Sequence, residues 1–364
     1  MIGWKRFHEG GLQGMTTIAK VAQEAGVGVG TVSRVLNDSA AVSEATRRRV
    51  LDVVAELGYE PNATARALST GRTRSIGVIA PFFTRSSVIE RLRGVAPMLA
   101  GAGYQLILVD VERAELRDAA FRSLFGRVDG LLSISLAPSP ADGARLVRAG
   151  VPLVLVDHAH DEFPTITVDD AGGGRCATEH LLGLGHERIA FMGDTVDGVH
   201  GGSASSRRCV GYQRALDDAG LSLRPELVKL GPYGREATGI VDELFALERP
   251  PTALFAASDL QALAVVDAVR ARGGRVPEDL SVVGFDDVEL ARYANLTTVA
   301  QPLAVSGMRG AELLLAALDG SELTEPRQHL PLELVVRGTT APPGERSHFE
   351  HSPMEGGRTS ARVA

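Results

Sequence analysis

The run TIAKVAQEAGVGVGTVSRVLN, from Thr17 to Asn37, decides how this chain is read. Ile18, Val21, Ala22 and Ala25 recur at helical spacing and give a first helix one apolar face. Gly26 follows, where a helix stops in a left-handed conformation that glycine adopts without strain. Val32, Val35 and Leu36 then give a second helix its own buried side. A helix of about eight residues, a glycine turn and a second helix make a helix-turn-helix, whose second helix enters the major groove of DNA. Thr31, Ser33 and Arg34 fall on the outward face, and an arginine fork can meet guanine O6 and N7 together.

The residues that follow support this unit. Ser43 can cap a third helix, SEATRRRVLDVVAELG, whose Val50, Val53, Val54 and Leu57 form a stripe that closes a three-helix core. Gly58 ends it, and Tyr59 and Pro61 lead into NATARALSTG. This piece has a capping Asn62, the small residues Ala63, Ala65 and Ala67, one large apolar residue, Leu68, and then Gly71. Its apolar surface is too thin to hold a helix alone, since short isolated helices are marginal in water.

The order AxxAGVxxxTVSRVLN, then VSxxTRxRVxxxxxxLGYxPNxxARxLxxG, resembles the DNA-binding headpiece and hinge of the LacI–GalR family of bacterial transcriptional regulators. The match runs over roughly sixty contiguous residues with ordered gaps, which makes it far more specific than a short motif. The resemblance implies a homodimer whose headpieces bind a pseudo-palindromic double-stranded DNA operator. It implies paired hinge helices in the minor groove, with Leu68 as the wedge that opens a central base step. Carried onto this chain, the DNA contacts are Thr17, Val29, Gly30, Thr31, Ser33, Arg34 and Asn37 in the headpiece, with Asn62, Ala65 and Leu68 in the hinge. The chain departs from the family in the recognition helix. Gly28 stands where a Ser or Thr often caps the helix, and Val29 and Gly30 occupy positions that usually carry polar side chains. Base reading should therefore lean on Arg34, Thr31 and Ser33, with Val29 offering only an apolar contact.

Composition bounds the rest. The chain has 364 residues, 44% apolar and 23% charged, which suits two or three globular domains. No apolar run approaches the roughly 18 residues that span a membrane. MIGWKRFHEGGLQG, residues 1–14, lacks an apolar signal core and matches nothing in the family pattern. It reads as a disordered extension or a start placed too early, and the protein is expected to be cytoplasmic. Cys176 and Cys209 have neither paired spacing nor a nearby histidine pair, so buried free thiols are expected rather than a disulfide or zinc site. The net charge of −7 is unevenly spread: from Met15 to Arg74 eight Lys or Arg face six acids, an excess of two. Arg47, Arg48 and Arg49 are either phosphate contacts or a solvated helix face.

From Arg74 the texture changes to short Val-, Ile- and Leu-rich runs alternating with helical patterns. SIGVIA, YQLILVD, VDGLLSIS, VPLVLVD and ITVD form a first block, and RIAFMGD, LVKLG, TALFA and LSVVGFDD a second. Continuous apolar strands between amphipathic helices mean parallel sheets covered on both faces, with ligands at the carboxyl ends of the strands. The expected fold is thus an all-α helix-turn-helix headpiece plus an α/β core of two doubly wound lobes. The family resemblance adds that these lobes are similar to periplasmic binding proteins. The expected divisions are a headpiece over 15–60 and a hinge helix and linker over 61–73. A two-lobed effector-binding and dimerisation domain follows over 74–340. Its N-lobe takes about 74–169 and a segment returning near 301–328; its C-lobe takes about 170–300 and 329–340. Residues 341–364, rich in Pro, Gly and charge, should be disordered, and they carry no leucine heptad for a tetramer-forming helix.

Several matches fall where the resemblance places a small-molecule effector. RRCVGY fits the family's R-x-x-G-[FY] pattern and puts Arg208 on the effector; VPEDLSVVGFDD fits P-x-D-[LI]-S-[VI]-x-G-[FY]-D-[DN] and adds Asp286. ASDLQAL gives Ser258 and Asp259 at the cleft edge, VPLVLVD ends on Asp157, and Phe83, Thr84 and Ser87 form a near wall. An arginine fork and strand-end carboxylates suit a ligand with many hydroxyls. Each has a structural alternative: Asp286 and Asp259 as helix caps, Arg208 as an ion-pair partner that holds the lobe. Few aromatics lie near the cleft, Phe83 and Tyr233 among them, which gives little support for sugar stacking.

Other signals lead nowhere. No strand precedes AGVGVG, so it is not a nucleotide loop. Gly172 to Gly174 open a helix where phosphate could sit, but helix-start geometry is the simpler account. The nine histidines lack metal spacing, and no G-x-S-x-G elbow occurs, so neither metal, cofactor nor catalytic residue is expected. Three readings stand: a ligand-responsive repressor, a solute-binding protein with a degenerate headpiece, and an enzyme on a doubly wound fold. The intact hinge pattern and the lack of a nucleophile or base cluster favour the repressor.

Overall fold

A computed structural model describes residues 17–36, 41–59, 71–194, 204–231 and 237–344, which form two compact units divided after Arg74. In the first, α1 (Ile18–Glu24), α2 (Val29–Leu36) and α3 (Glu44–Glu56) enclose a small core. Val21, Ala22, Ala25, Val32, Val35 and Val50 are buried there, with Val53, Val54 and Leu57 half-buried around them. Thr17 and Ser43 cap α1 and α3 through their side-chain oxygens. Gly26 (φ 64°) and Gly58 (φ 55°) take the left-handed turns that follow α1 and α3. Residues 61–70 of the predicted hinge and linker, and Asn37, lie outside the described residues.

The second unit is two lobes. The N-lobe begins with β1 (Ser75–Ala80), α4 (Ser86–Gly101), β2 (Gln105–Asp110), α5 (Arg117–Ser123) and β3 (Gly130–Ile134). It continues with α6 (Pro140–Ala149), β4 (Leu153–Val156) and β5 (Thr165–Val168). The C-lobe begins with α7 (Asp170–Gly183), β6 (Ile189–Asp194), α8 (Ala204–Asp218), β7 (Val228–Gly231) and α9 (Ala237–Phe245). It continues with β8 (Ala253–Ala256), α10 (Asp259–Ala271), β9 (Ser281–Asp286), α11 (Glu289–Tyr293) and β10 (Thr297–Ala300). The chain then returns to the N-lobe as α12 (Leu303–Leu318) and β11 (Arg327–Leu330), and crosses back as β12 (Glu333–Val335).

The sheet orders are β11-β5-β4-β3-β1-β2 and β12-β10-β9-β8-β6-β7, parallel throughout except for the antiparallel β10–β12 pair. β1, β3, β4 and β8 are buried along their whole length, which is why they read as unbroken apolar runs. Two expected limits need correction. The returning segment extends through Leu330, not 328, because Arg327 to Leu330 pair residue by residue with Thr165 to Val168. Pro331, which has no N–H to give a ladder, separates this strand from β12. The ordered core also passes residue 340: the Ala341 N–H donates to Ser281 Oγ (3.1 Å), and its carbonyl accepts from Ser281 Oγ (3.0 Å) and meets His186 Nε2 (2.8 Å). Both cysteines are free, but only Cys209 is buried and Cys176 is half-buried.

Close helix approach locks each lobe. A Cβ on Gly94 of α4 would strike the Ala304 carbonyl of α12, and one on Gly307 would strike the Arg91 carbonyl. In the C-lobe, Gly174 of α7 and Gly211 of α8 make the same kind of contact, against Arg208 and Ala171. Gly94→Val should therefore lower the stability of this unit by about 3 kcal/mol or more, because backbone rather than a movable side chain blocks the new atoms. Gly101→Ala, at the open end of the same helix, should leave it unchanged or slightly raised; urea unfolding of both variants checks this.

Candidate functional site

In the headpiece, α2 starts without a side-chain cap, since Gly28 supplies only its carbonyl, to Thr31 N (2.8 Å) and Val32 N (3.2 Å). Val32 and Val35 point inward; Val29, Gly30 and Arg34 are exposed, and Thr31 and Ser33 are half-buried. Val29 is 46% exposed on the outward face of α2. Thr17 is exposed at the start of α1, where Lys20 N reaches its Oγ1 (3.4 Å). Thr17 and the α2 residues thus belong to one folded unit, and Asn62, Ala65 and Leu68 lie outside the described residues.

In the second unit a cleft partly open to solvent lies where strands of both sheets end. Ser135 follows β3, Asp157 follows β4, Asp194 and Asp286 close β6 and β9, and Ser258 starts α10. Three of these, Ser135 (φ 55°), Asp157 (φ 66°) and Asp286 (φ 119°), hold positive φ angles that L-residues rarely adopt. Such strain persists only where the surroundings enforce it, and it collects at sites of function.

The polar atoms form one connected array. Ser135 Oγ donates to Asp157 Oδ2 (2.6 Å), and Arg91 Nη2 lies 3.3 Å from Asp157 Oδ1. Arg91 Nη2 also reaches Gln301 Oε1 (3.4 Å), and Gln301 Nε2 donates to Asp286 Oδ1 (2.6 Å). Arg208 lies 3.6 Å from Asp286, donates from Nε to Asp170 Oδ1 (2.9 Å) and from Nη1 to the Ala257 carbonyl (2.5 Å), and stacks on Phe285. Arg207 takes the other Asp170 oxygen through Nη2 (2.7 Å). Burial pushes Asp286 up to about 6, because Arg208, Arg91 and Gln301 only partly offset desolvation. For Asp157 burial acts in the same direction, but Arg91 and the Ser135 hydroxyl outweigh it and hold the carboxyl below its usual range.

Of the predicted effector contacts, Ser87, Asp157, Arg208, Ser258 and Asp286 line the cleft. Phe83 and Thr84 do not: both are exposed after the turn at Phe82, and the Phe83 amide is tied to Asp110 Oδ1 (3.1 Å). Arg208 is both an ion-pair partner inside the lobe and a cleft wall. Ser258 also caps α10, accepting from Gln261 N (3.3 Å). Asp259 is no cap but lies beneath the cleft, accepting from Val288 N (2.9 Å) and Thr298 Oγ1 (2.5 Å); burial raises it to about 8. At the glycine-rich start of α7, Asp169 takes Gly172 N (2.8 Å), and a Cβ on Gly173 would meet Phe285, so helix packing accounts for these glycines.

Sequence reasoning missed Arg91, Ser135, Asp194, Gln301 and the neighbouring Arg207. Arg91 had a signal: it shares the buried stripe of α4 with Val88, Val95 and Leu99. Asp194 ends RIAFMGD as Asp157 ends VPLVLVD, a parallel open to reading. For Ser135 and Gln301 only the sheet order and the return of α12 bring them to the cleft.

Comparison with known proteins matches both units. Residues 17–62 match the bacterial regulatory proteins of the lacI family, and residues 178–340 a periplasmic binding protein-like domain. The HTH-type transcriptional regulator CelR of Thermobifida fusca is 38% identical over 336 residues, covering 88% of this chain and 97% of the relative. The HTH-type transcriptional repressor PurR of Aliivibrio fischeri strain MJ11 is 34% identical over 340 residues, covering 89% and 98%. Among solved structures, the lac repressor dimer bound to operator and the anti-inducer ONPF has a TM-score of 0.77 at 28% identity, over 90% of this chain and all of that one. The CelR–cellobiose complex has a TM-score of 0.64 at 35% identity, over 89% and 99%. A helix-turn-helix unit joined to a two-lobed core, with full-length relatives of both parts, makes this chain a member of the lacI family of DNA-binding transcriptional regulators and not an enzyme.

Proposed function

We propose that this regulator is a cytoplasmic, homodimeric repressor whose affinity for a pseudo-palindromic operator is set by a small, uncharged, polyhydroxylated molecule in the cleft. One observation carries the ligand class. Each cleft arginine among the described residues stands against a carboxylate: Arg85 against Asp194 (4.0 Å), Arg91 against Asp157, Arg208 against Asp170 and Asp286, and Arg207 against Asp170. A charged ligand would have to break such a pair, whereas hydroxyls can both accept from guanidinium and donate to carboxylate. The CelR–cellobiose complex is a relative with a sugar of this kind.

Effector enters between lobes that the chain joins at three crossings, so a change in lobe angle passes to the segment preceding β1. A ligand acts only through different affinity for the two arrangements, opposing operator binding as an inducer or favouring it as a corepressor. Because Gly28 and Gly30 bring no side chains, base recognition concentrates on Arg34, with Val29 against an apolar group such as a thymine methyl.

Three outcomes test this reading. In thermal unfolding against neutral sugars, sugar phosphates, nucleobases and amino acids, a binder at a hundredfold excess over its Kd should stabilise the protein by about 2.7 kcal/mol. The shift should come from neutral sugars and vanish in Arg208→Ala, or in the milder Asp286→Asn, while operator binding survives; a shift that persists in both removes these residues from the site. Arg34→Ala should weaken specific operator binding by about 1–3 kcal/mol and relax preference at one base pair per half-site, measured by titration against an operator library. Leu68→Ala should lower specific binding more than non-specific binding; an equal fall would remove its wedge role.

A further inference from the structure

Arg91 is a charged residue on an otherwise apolar helix face. It lies on the buried stripe of α4, 3% exposed, at a position whose neighbours along the stripe are Val88, Val95 and Leu99. Its Nε meets no acceptor among the described residues, which a buried N–H tolerates only at a cost of about 1–3 kcal/mol. A buried ion pair is often no more stable than apolar side chains of similar volume. The guanidinium is nevertheless held firmly. α12 packs on the Arg91 backbone at Gly307, and Nη1 donates to the Ser87 carbonyl (3.4 Å). Nη2 faces both Asp157 (3.3 Å) and Gln301 (3.4 Å).

These two contacts join the lobes. Asp157 ends an N-lobe strand, whereas Gln301 lies at the crossing between β10 and α12 and passes the contact to Asp286 of the C-lobe (2.6 Å). We propose that Arg91 is a positioning residue of the effector cleft: it aims Asp157 and, through Gln301, fixes Asp286, so that carboxylates of both lobes stand as ready acceptors for ligand hydroxyls. The role as an effector site rests on the function proposed above. The electrostatic claim stands apart from it and is tested without ligand.

Asp157 is surrounded by Arg91, the Ser135 hydroxyl, Arg208, Arg207 and His158, with Asp286 as the opposing like charge. In the native protein its lowered carboxyl contributes stability above the ordinary aspartate range and loses it as pH falls through the folded value. Without Arg91 the carboxyl rises from that lowered position, with the Ser135 hydroxyl, Arg208 and Arg207 left to oppose desolvation. The variant then keeps its proton to higher pH than the wild type, so the stability lost on removing Arg91 grows as pH rises through that range.

The experiment is thermal unfolding of the full-length protein, wild type, Arg91→Met, Asp157→Asn and the double variant, from pH 4.5 to 8. The Tm loss of Arg91→Met should grow with pH, and that growth should shrink in the Asp157→Asn background and disappear when Asp286→Asn is added, since Arg91 lowers both carboxyls. Arg91→Lys should restore the wild-type slope in part. A loss equal at every pH, or a slope that survives both Asn substitutions, would overturn the proposal and leave Arg91 a packing residue. If Arg91→Met does not fold and the double variant does, that rescue carries the same conclusion; if neither folds, the proposal fails. A ligand screen with no hit would remove the effector reading and leave this outcome unaffected.

Discussion

The Asp170 carboxylate, held on both oxygens by Arg207 and Arg208, is the interaction on which the cleft depends. Asp170 opens α7, directly after β5, where the chain first leaves the N-lobe for the C-lobe. Its side chain is 1% exposed, and each of its oxygens is taken by a guanidinium group. The pairing fixes Arg208 on the Phe285 face and against Asp286, so the point where the chain changes lobes and the wall of the cleft are parts of one ionic cluster.

Around this cluster the carboxylates divide by environment. Asp157 keeps its charge because Arg91 and Ser135 are close, whereas Asp286 is pushed up to about 6 and Asp259 beneath it to about 8. Asp259 serves as a hydrogen-bonding post: by taking Val288 N it holds the turn in which Asp286 (φ 119°) and Asp287 (φ 55°) both have strained backbones. A strained turn braced from below presents a carboxylate rigidly, which lowers the ordering cost of meeting a small ligand.

The two units answer to different physics. Among the described residues the headpiece core holds six buried apolar side chains, and from Met15 to Arg74 the excess is only two positive charges. Sequence-independent attraction to phosphate grows with the number of neutralised charges, so so small an excess leaves discrimination to a few direct contacts. The core carries the acidity of the chain. Close glycine contacts hold each lobe together, and the lobes meet across charge pairs such as Arg85–Asp194 rather than through one continuous apolar core.

Local chemistry made much of this legible in the sequence. The helix-turn-helix could be read because Gly26, the caps Thr17 and Ser43, and the stripe Val21, Val32 and Val50 are all short-range signals. The parallel sheets could be read because strands buried on both faces are unbroken apolar runs, and strand-end carboxylates follow from that pattern. Only the tertiary structure decided that Phe83 and Thr84 turn away while Ser135, Asp194 and Gln301 come in, and that β11 completes the N-lobe sheet to Leu330. The reason is range. Gln301 and Arg91 are 210 positions apart and meet because α12 crosses back and packs on α4, an approach that depends on Gly94 and Gly307 together and leaves no trace in the sequence around either residue.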